Sequence, residues 1–362
     1  MKKQNFNLAV TSFGLLAFLA VAVFAQSGRI KNPSENQPVR RERPQIQLPS
    51  IQISTGATPT PVPPPKSEES EDEVLRVESV LIPIPVSVTD QNGRAISDLK
   101  IADFELEVDG KTEEINELSR SETPVRLALL FDNSSSVAVA REFEKKAATR
   151  FLKRVLRPSK DQAALYSIST ISRQEQKLTA DTRLLVQAIE GFPPPAGATA
   201  LLDSIVQAAN YLDEAATDGR RVIVIMTDGV DTISDTTLEQ AIREAQMANC
   251  QIYVVKTTDF ENFRRTGRRG SNENLRDLAA ERRMIELATQ TGGAVYSPLD
   301  EKELDASFTR LAAELSEQYV LSYYPNDARA DGKFRQISLR IPARQNLTVR
   351  TRKGYYVPKS SL

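Results

Sequence analysis

Between residues 124 and 316, short and almost wholly apolar runs alternate with longer segments whose apolar residues recur at helical spacing. A run such as 127–131 has no polar face, so it must be covered on both sides. Alternation of such runs with amphipathic helices specifies an α/β fold: a mostly parallel sheet with helices on both faces. The pattern predicts strands at 126–131, 163–167, 222–226, 251–256 and 294–296, with a short edge strand at 174–179. Helices are predicted at 138–156, 182–191, 200–214, 237–248, 274–291 and 301–316. In the first of these Val139, Phe143, Ala147, Phe151 and Val155 share a face; in the third Leu202, Ile205, Ala209 and Leu212 do.

Two of the apolar runs stop abruptly in polar residues. The run through Phe131 ends in Asp132-x-Ser134-x-Ser136, and the run through Met226 ends in Thr227-Asp228-Gly229; Gly197-Ala198-Thr199 lies between them. Ligands in open α/β sheets collect outside the carboxyl ends of the strands, and oxygen donors offered from separate loops there suit a hard divalent cation. Read singly, each motif is also an ordinary turn, and Ser136 is placed to cap the helix that follows.

The flanks read differently. Residues 75–120 and 318–358 carry strand alternation broken by turn signals such as Asn92-Gly93, Asp109-Gly110 and Asp331-Gly332. Neither segment is large enough for a comfortable core of its own, so the two are expected to pair as one β-sandwich with the α/β region (124–316) inserted between them. Tyr319, Tyr323, Tyr324, Tyr355 and Tyr356 are expected to fill its core and edges. Residues 26–74 hold a proline-rich stretch and an acidic run, the composition of an unstructured tether. Lys2 and Lys3, the apolar residues 8–24 and the small residues before Gln26 predict a signal peptide over 1–25 and hence a secreted, periplasmic or cell-envelope protein with no membrane span after cleavage. The competing reading is an uncleaved anchor of borderline length.

Composition removes several functions. The chain has no histidine, which excludes His-based acid–base catalysis, Ser-His-Asp triads and His-ligated zinc or haem. Its single cysteine, Cys250, precludes an intrachain disulfide or a thiolate cluster and reads as a small buried hydrophobe. A net charge of −1 gives no global attraction to nucleic acid or to membrane surfaces. Position 134 is Ser where an Asp-x-Asp phosphatase needs its acid–base carboxylate. A nucleophile elbow, a P-loop and a dinucleotide turn are also missing. The chain is therefore expected not to be an enzyme; a metal-dependent hydrolase is a remote alternative.

Taken in order, Asp132-x-Ser134-x-Ser136, Thr199 and Asp228-Gly229 resemble the metal-ion-dependent adhesion site of von Willebrand factor type A domains, and the likeness extends in element order over 124–316. The flanking phrases Val86-Ser-Val-Thr-Asp90, Gln318-Tyr-Val-Leu-Ser-Tyr-Tyr-Pro325 and Arg352-Lys-Gly-Tyr-Tyr356 resemble those of a bacterial, notably acidobacterial, group of secreted proteins with this domain. The resemblance implies a Rossmann-like fold, with Ser134 and Ser136 binding the cation directly and Thr199 directly or through water. Asp132 and Asp228 would act mainly through ordered waters. It implies Mg2+, with Mn2+ or Ca2+ as alternatives, and a protein ligand whose Asp or Glu carboxylate completes the coordination shell: a cell-adhesion or protein–protein interaction role. A structural envelope scaffold with no metal-dependent ligand is the alternative. Arg264, Arg265, Arg268 and Arg269 follow the strand at 251–256. They are expected either to form a cationic rim steering an acidic partner or to be a solvated loop.

Overall fold

The structure, a computed structural model, describes residues 81–120, 123–138, 141–267, 275–325 and 331–357, all within one compact unit spanning Glu73–Leu362. The expected signal peptide and tether, together with Arg268 and Arg269, lie outside the described residues. Four strands come first: β1 (Ile82–Thr89), β2 (Glu105–Val108), β3 (Lys111–Glu113) and β4 (Glu117–Arg120). The α/β region follows as β5 (Val125–Asp132), α1 (Arg141–Val155), β6 (Gln162–Ile168), β7 (Arg173–Thr179), α2 (Thr182–Glu190), α3 (Leu201–Ala215) and β8 (Arg220–Thr227). It continues through α4 (Leu238–Met247), β9 (Cys250–Lys256), α5 (Thr258–Thr266), α6 (Leu275–Thr291), β10 (Val295–Tyr296) and α7 (Glu301–Glu317). Four strands close the chain: β11 (Tyr319–Tyr323), β12 (Phe334–Arg340), β13 (Thr348–Arg350) and β14 (Gly354–Tyr356).

The α/β region forms a six-stranded sheet in the order β10-β9-β8-β5-β6-β7, parallel except for the edge strand β7. Every residue of β5 is buried, and the period-2 alternation of a strand divides them between two cores. Leu127, Leu129 and Phe131 meet Phe151 and Leu152 of α1 and Phe308 and Leu311 of α7. Ala128 and Leu130 share the opposite core with Leu201 and Ile205 of α3, Ala241 of α4 and Leu287 of α6. Asp181 caps α2, a Thr237–Gln240 capping box opens α4 and Asp300 caps α7, each satisfying backbone N–H groups that the helix leaves free.

Asp161, at the start of β6, anchors the sheet's central strand. Its carboxylate accepts from the backbone N–H of Val125 and from the backbone and guanidinium of Arg157, all at 2.8 Å. Burial alone would raise its pKa; the Arg157 guanidinium and the two backbone donors outweigh it and hold the carboxyl below its usual range. A depressed folded pKa stabilises above the unfolded value of about 3.9 and is lost as pH falls through the folded value. Asp161→Ala, which strands the Val125 and Arg157 donors, is expected to cost about 2–3 kcal/mol at pH 7. In denaturant melts the gap between wild type and variant should close on acidification.

The flanking strands form two four-stranded sheets, β13-β1-β11-β4 and β14-β12-β2-β3. Both combine strands of the two flanking segments: Ile84 pairs with Leu321 and Leu106 with Leu339. Ile84, Val86, Leu106, Tyr319, Leu321 and Tyr355 share one buried core. The hydroxyls of Tyr323 and Tyr355 meet at 2.6 Å across it, while Tyr324 is exposed. Among the described residues no helix is long and apolar enough to cross a membrane.

Candidate metal centre

β5 and β8 are parallel neighbours with Phe131 opposite Met226, so Asp132 and Thr227-Asp228 emerge side by side. The Asp132 side chain is buried. Its Oδ1 accepts the Ser134 backbone N–H at 2.9 Å, and its Oδ2 accepts the Thr227 hydroxyl at 2.7 Å. Ser134 and Ser136 place their hydroxyl oxygens 2.9 Å apart. Ser136 lies in a 3-10 turn over Ser135–Val137, with its hydroxyl facing Ser134.

Thr199 reaches the same place through a braced loop. The Ala196 and Gly197 backbones bond to Asn133 and Ser135. Thr199 exchanges backbone bonds with Thr232, its N–H meeting the Thr232 hydroxyl at 2.8 Å and its carbonyl the Thr232 N–H at 2.9 Å. Gly197 has φ +81°, and a Cβ there would meet Thr170 Oγ1 at 2.4 Å, so the Gly-x-Thr spelling has a steric reason. Asp231 accepts the Leu201 N–H at 2.9 Å and the Ser234 hydroxyl at 2.6 Å, which fixes the start of α3 directly after Thr199. Asp235 gives its backbone N–H to Asp203.

Ser134, Ser136, Thr199 and Asp228 line one cleft of about 330 Å³, with Asp132 beneath it. Arg276 and Asp277 of α6 also line it, and sequence reasoning singled out neither. Two buried carboxylates near the cleft feel like charges. Burial, then the Asp228 carboxylate, pushes Asp132 up to about 6, against the hydrogen bonds from Thr227 and Ser134. Glu144 of α1 is buried with its Oε1 unpartnered, and burial, then the charges of Glu261, Asp132 and Asp228, raise it far above the usual carboxylate range. Among the described residues no trio of acidic, thiol or imidazole groups converges as a metal cage. The donor set is three hydroxyls and two carboxylates, which suits a hard cation that retains waters. A divalent charge there would relieve the like-charge penalty on Asp132.

Two further side chains hold the loops in register. Arg141, buried at the start of α1, donates to Asn133 Oδ1 and to the Pro193 carbonyl at 2.6 Å, tying the loop after β5 to the segment after α2. The segment after β9, read as an arginine-bearing loop, is instead helix α5, closed by Gly267 at φ +68°. Arg264 stacks over Phe143 at 4.3 Å and Arg265 donates to Asn262 at 2.7 Å; neither lines the cleft. α5 does touch the centre at its start, where the Thr258 hydroxyl donates to the Asp228 carbonyl at 2.8 Å. Cys250 is buried in β9 and burial pushes its thiol up to about 12, as befits an inert core residue.

Residues 127–305 match the family model of the von Willebrand factor type A domain. The matched stretch is the α/β region of this chain, and its sheet order and helix placement are those of a Rossmann-like A-type fold. Similar solved structures include the von Willebrand factor domain of the type V pili tip protein Mfa5 from Porphyromonas gingivalis, at 15% identity over 52% of this chain and 94% of that one (TM-score 0.41). The PilB minor pilin from Streptococcus sanguinis is 14% identical over 57% of this chain and 63% of that one (TM-score 0.41). BatB, a conserved hypothetical protein from Bacteroides thetaiotaomicron, is 13% identical over 52% and 97% (TM-score 0.40). No curated protein matches the chain. The matched stretch contains Asp132, Ser134, Ser136, Thr199 and Asp228 and is flanked by strands outside it.

Proposed function

We propose that this chain is an exported, non-catalytic module that binds a protein partner through a divalent cation held by Ser134, Ser136, Thr199, Asp132 and Asp228. One observation carries the reading: two paired hydroxyls, a third from a separate braced loop and two carboxylates converge at one cleft. Ser134, Ser136 and Thr199 would offer neutral oxygens. Asp132, committed to the Ser134 N–H and the Thr227 hydroxyl, would act at one remove. The bound cation supplies an electrophilic coordination position, and an Asp or Glu of the partner is the ligand that satisfies it. With no histidine in the chain, Ser134 and Ser136 lack the imidazole base that most often activates a serine nucleophile. Magnesium is the expected ion; manganese and calcium also accept oxygen donors.

Calorimetric titration with each ion should register uptake at millimolar concentration or below. Affinity capture from envelope or secreted extract, run once with magnesium and once with chelator, should yield proteins lost only in chelator. No uptake of any of the three ions would sink the reading, and a partner retained in chelator would mark the chain as a scaffold.

A further inference from the structure

Arg220 opens β8, at the end of the strand opposite Asp228, and Arg352 follows β13; each is 5% exposed. Neither guanidinium has a carboxylate partner among the described residues. Arg220 donates to the Leu315 carbonyl at 2.7 Å and to Gln318 Oε1. Arg352 donates to the Pro83 carbonyl at 2.8 Å and to Asn249 Oδ1, and lies 5.2 Å from the Tyr355 ring centroid. The Nε of each is buried without any hydrogen-bond partner, as is the Oε1 of Gln251 beside them. Burial pushes both guanidinium groups down to about 10, the sign expected for cations taken out of water with no carboxylate in hydrogen-bonding contact. An uncompensated buried charge is among the most destabilising features a fold can carry.

Arg220, Arg352 and Gln251 line one cavity of about 420 Å³ between the flanking strands and the A-type domain, with Pro83, Pro85 and Val320 as its apolar wall. We propose that this cavity binds a small organic carboxylate, its oxygens accepting from Arg220 and Arg352 and its carbon skeleton lying against the two prolines and Val320. The volume is in the range of small-ligand pockets, which are apolar with a few convergent polar groups. Guanidinium groups bind carboxylates as charge-assisted pairs, and the buried position screens such a pair little. Inorganic phosphate would satisfy the charges and leave the apolar wall unused, so the carbon skeleton distinguishes the proposed class.

The test uses the full chain, titrated calorimetrically with succinate and with citrate, and with phosphate and chloride at matched ionic strength. At least one carboxylate is expected to bind saturably in the millimolar range. It should also raise the melting midpoint of the chain beyond the effect of chloride, since a ligand that binds only the folded state stabilises it. Arg352→Gln should weaken binding at least about tenfold, since it removes one partner of a buried charge pair. If that variant does not fold, the melting shift of the unmodified chain decides. Absence of saturable binding and of stabilisation beyond chloride, or equal effects of phosphate, would overturn the proposal.

Discussion

Asp132→Asn is expected to lower divalent-cation uptake by about 10–100-fold, the usual effect of removing an outer-sphere ligand, while leaving the fold intact. The asparagine can keep both contacts: its carbonyl oxygen accepts the Ser134 N–H and its amide donates to the Thr227 hydroxyl, the two groups that Asp132 binds at 2.9 and 2.7 Å. What is lost is the charge. Because burial and Asp228 already disfavour the ionised carboxylate, removing it should leave the metal-free protein as stable as before or slightly more so. The diagnostic pattern is therefore a split: unchanged or higher stability in chelator, and a smaller rise in melting temperature when magnesium is added. Asp132→Ala would also strand the Ser134 and Thr227 donors and serves as the harsher companion, expected to abolish chelator-sensitive partner capture. Undiminished cation affinity in the Asn variant would remove Asp132 from the site.

Gly293→Ala is expected to have the largest effect on stability, at least about 4 kcal/mol, and to leave little folded protein. Gly293 lies between α6 and β10, and a Cβ there would fall 1.9 Å from the Ile252 carbonyl oxygen and 2.6 Å from its carbon. These are backbone atoms of β9, locked in the parallel ladder with β8, so they cannot withdraw as a flexible side chain would. Relief requires moving the α6–β10 connection off the sheet, which also breaks the bond from the Val254 N–H to the Ala294 carbonyl. Yield of soluble protein and the midpoint of denaturant unfolding would measure the loss. A variant folding with near-normal stability would show that this approach of two backbones is looser than drawn.

Much of the α/β body was legible because its signals are local. The apolar runs ending at Phe131 and Met226 are strands β5 and β8, extended by a residue or two at each end, and the helical stripes containing Phe151 and Ile205 face the two cores. Helix α5 was not legible: its sequence is rich in charge, and only Phe260 and the Gly267 stop pointed to it. Arg264 and Arg265, which the sequence offered as a rim, are occupied by Phe143 and Asn262. Arg276 and Asp277 reach the cleft from a helix whose start carries no motif. Glu144 and Arg141 read as ordinary surface charges of an amphipathic helix, yet both are buried, because neighbouring elements close over them.

The sequence by itself determined the order of strands and helices and the hydroxyl and carboxylate residues at the strand ends, since period and turn chemistry act between near neighbours in the chain. Only the tertiary structure decided that Thr227, 95 residues on, would hold the Asp132 carboxylate, and that strands of the two flanks would alternate in one sheet and meet at a single β12–β2 junction in the other. It also decided that Arg220 and Arg352 would be buried with neutral partners around one cavity. Those outcomes depend on which surfaces exclude water together, and the free energy of a buried charge or hydroxyl is set by neighbours distant in sequence.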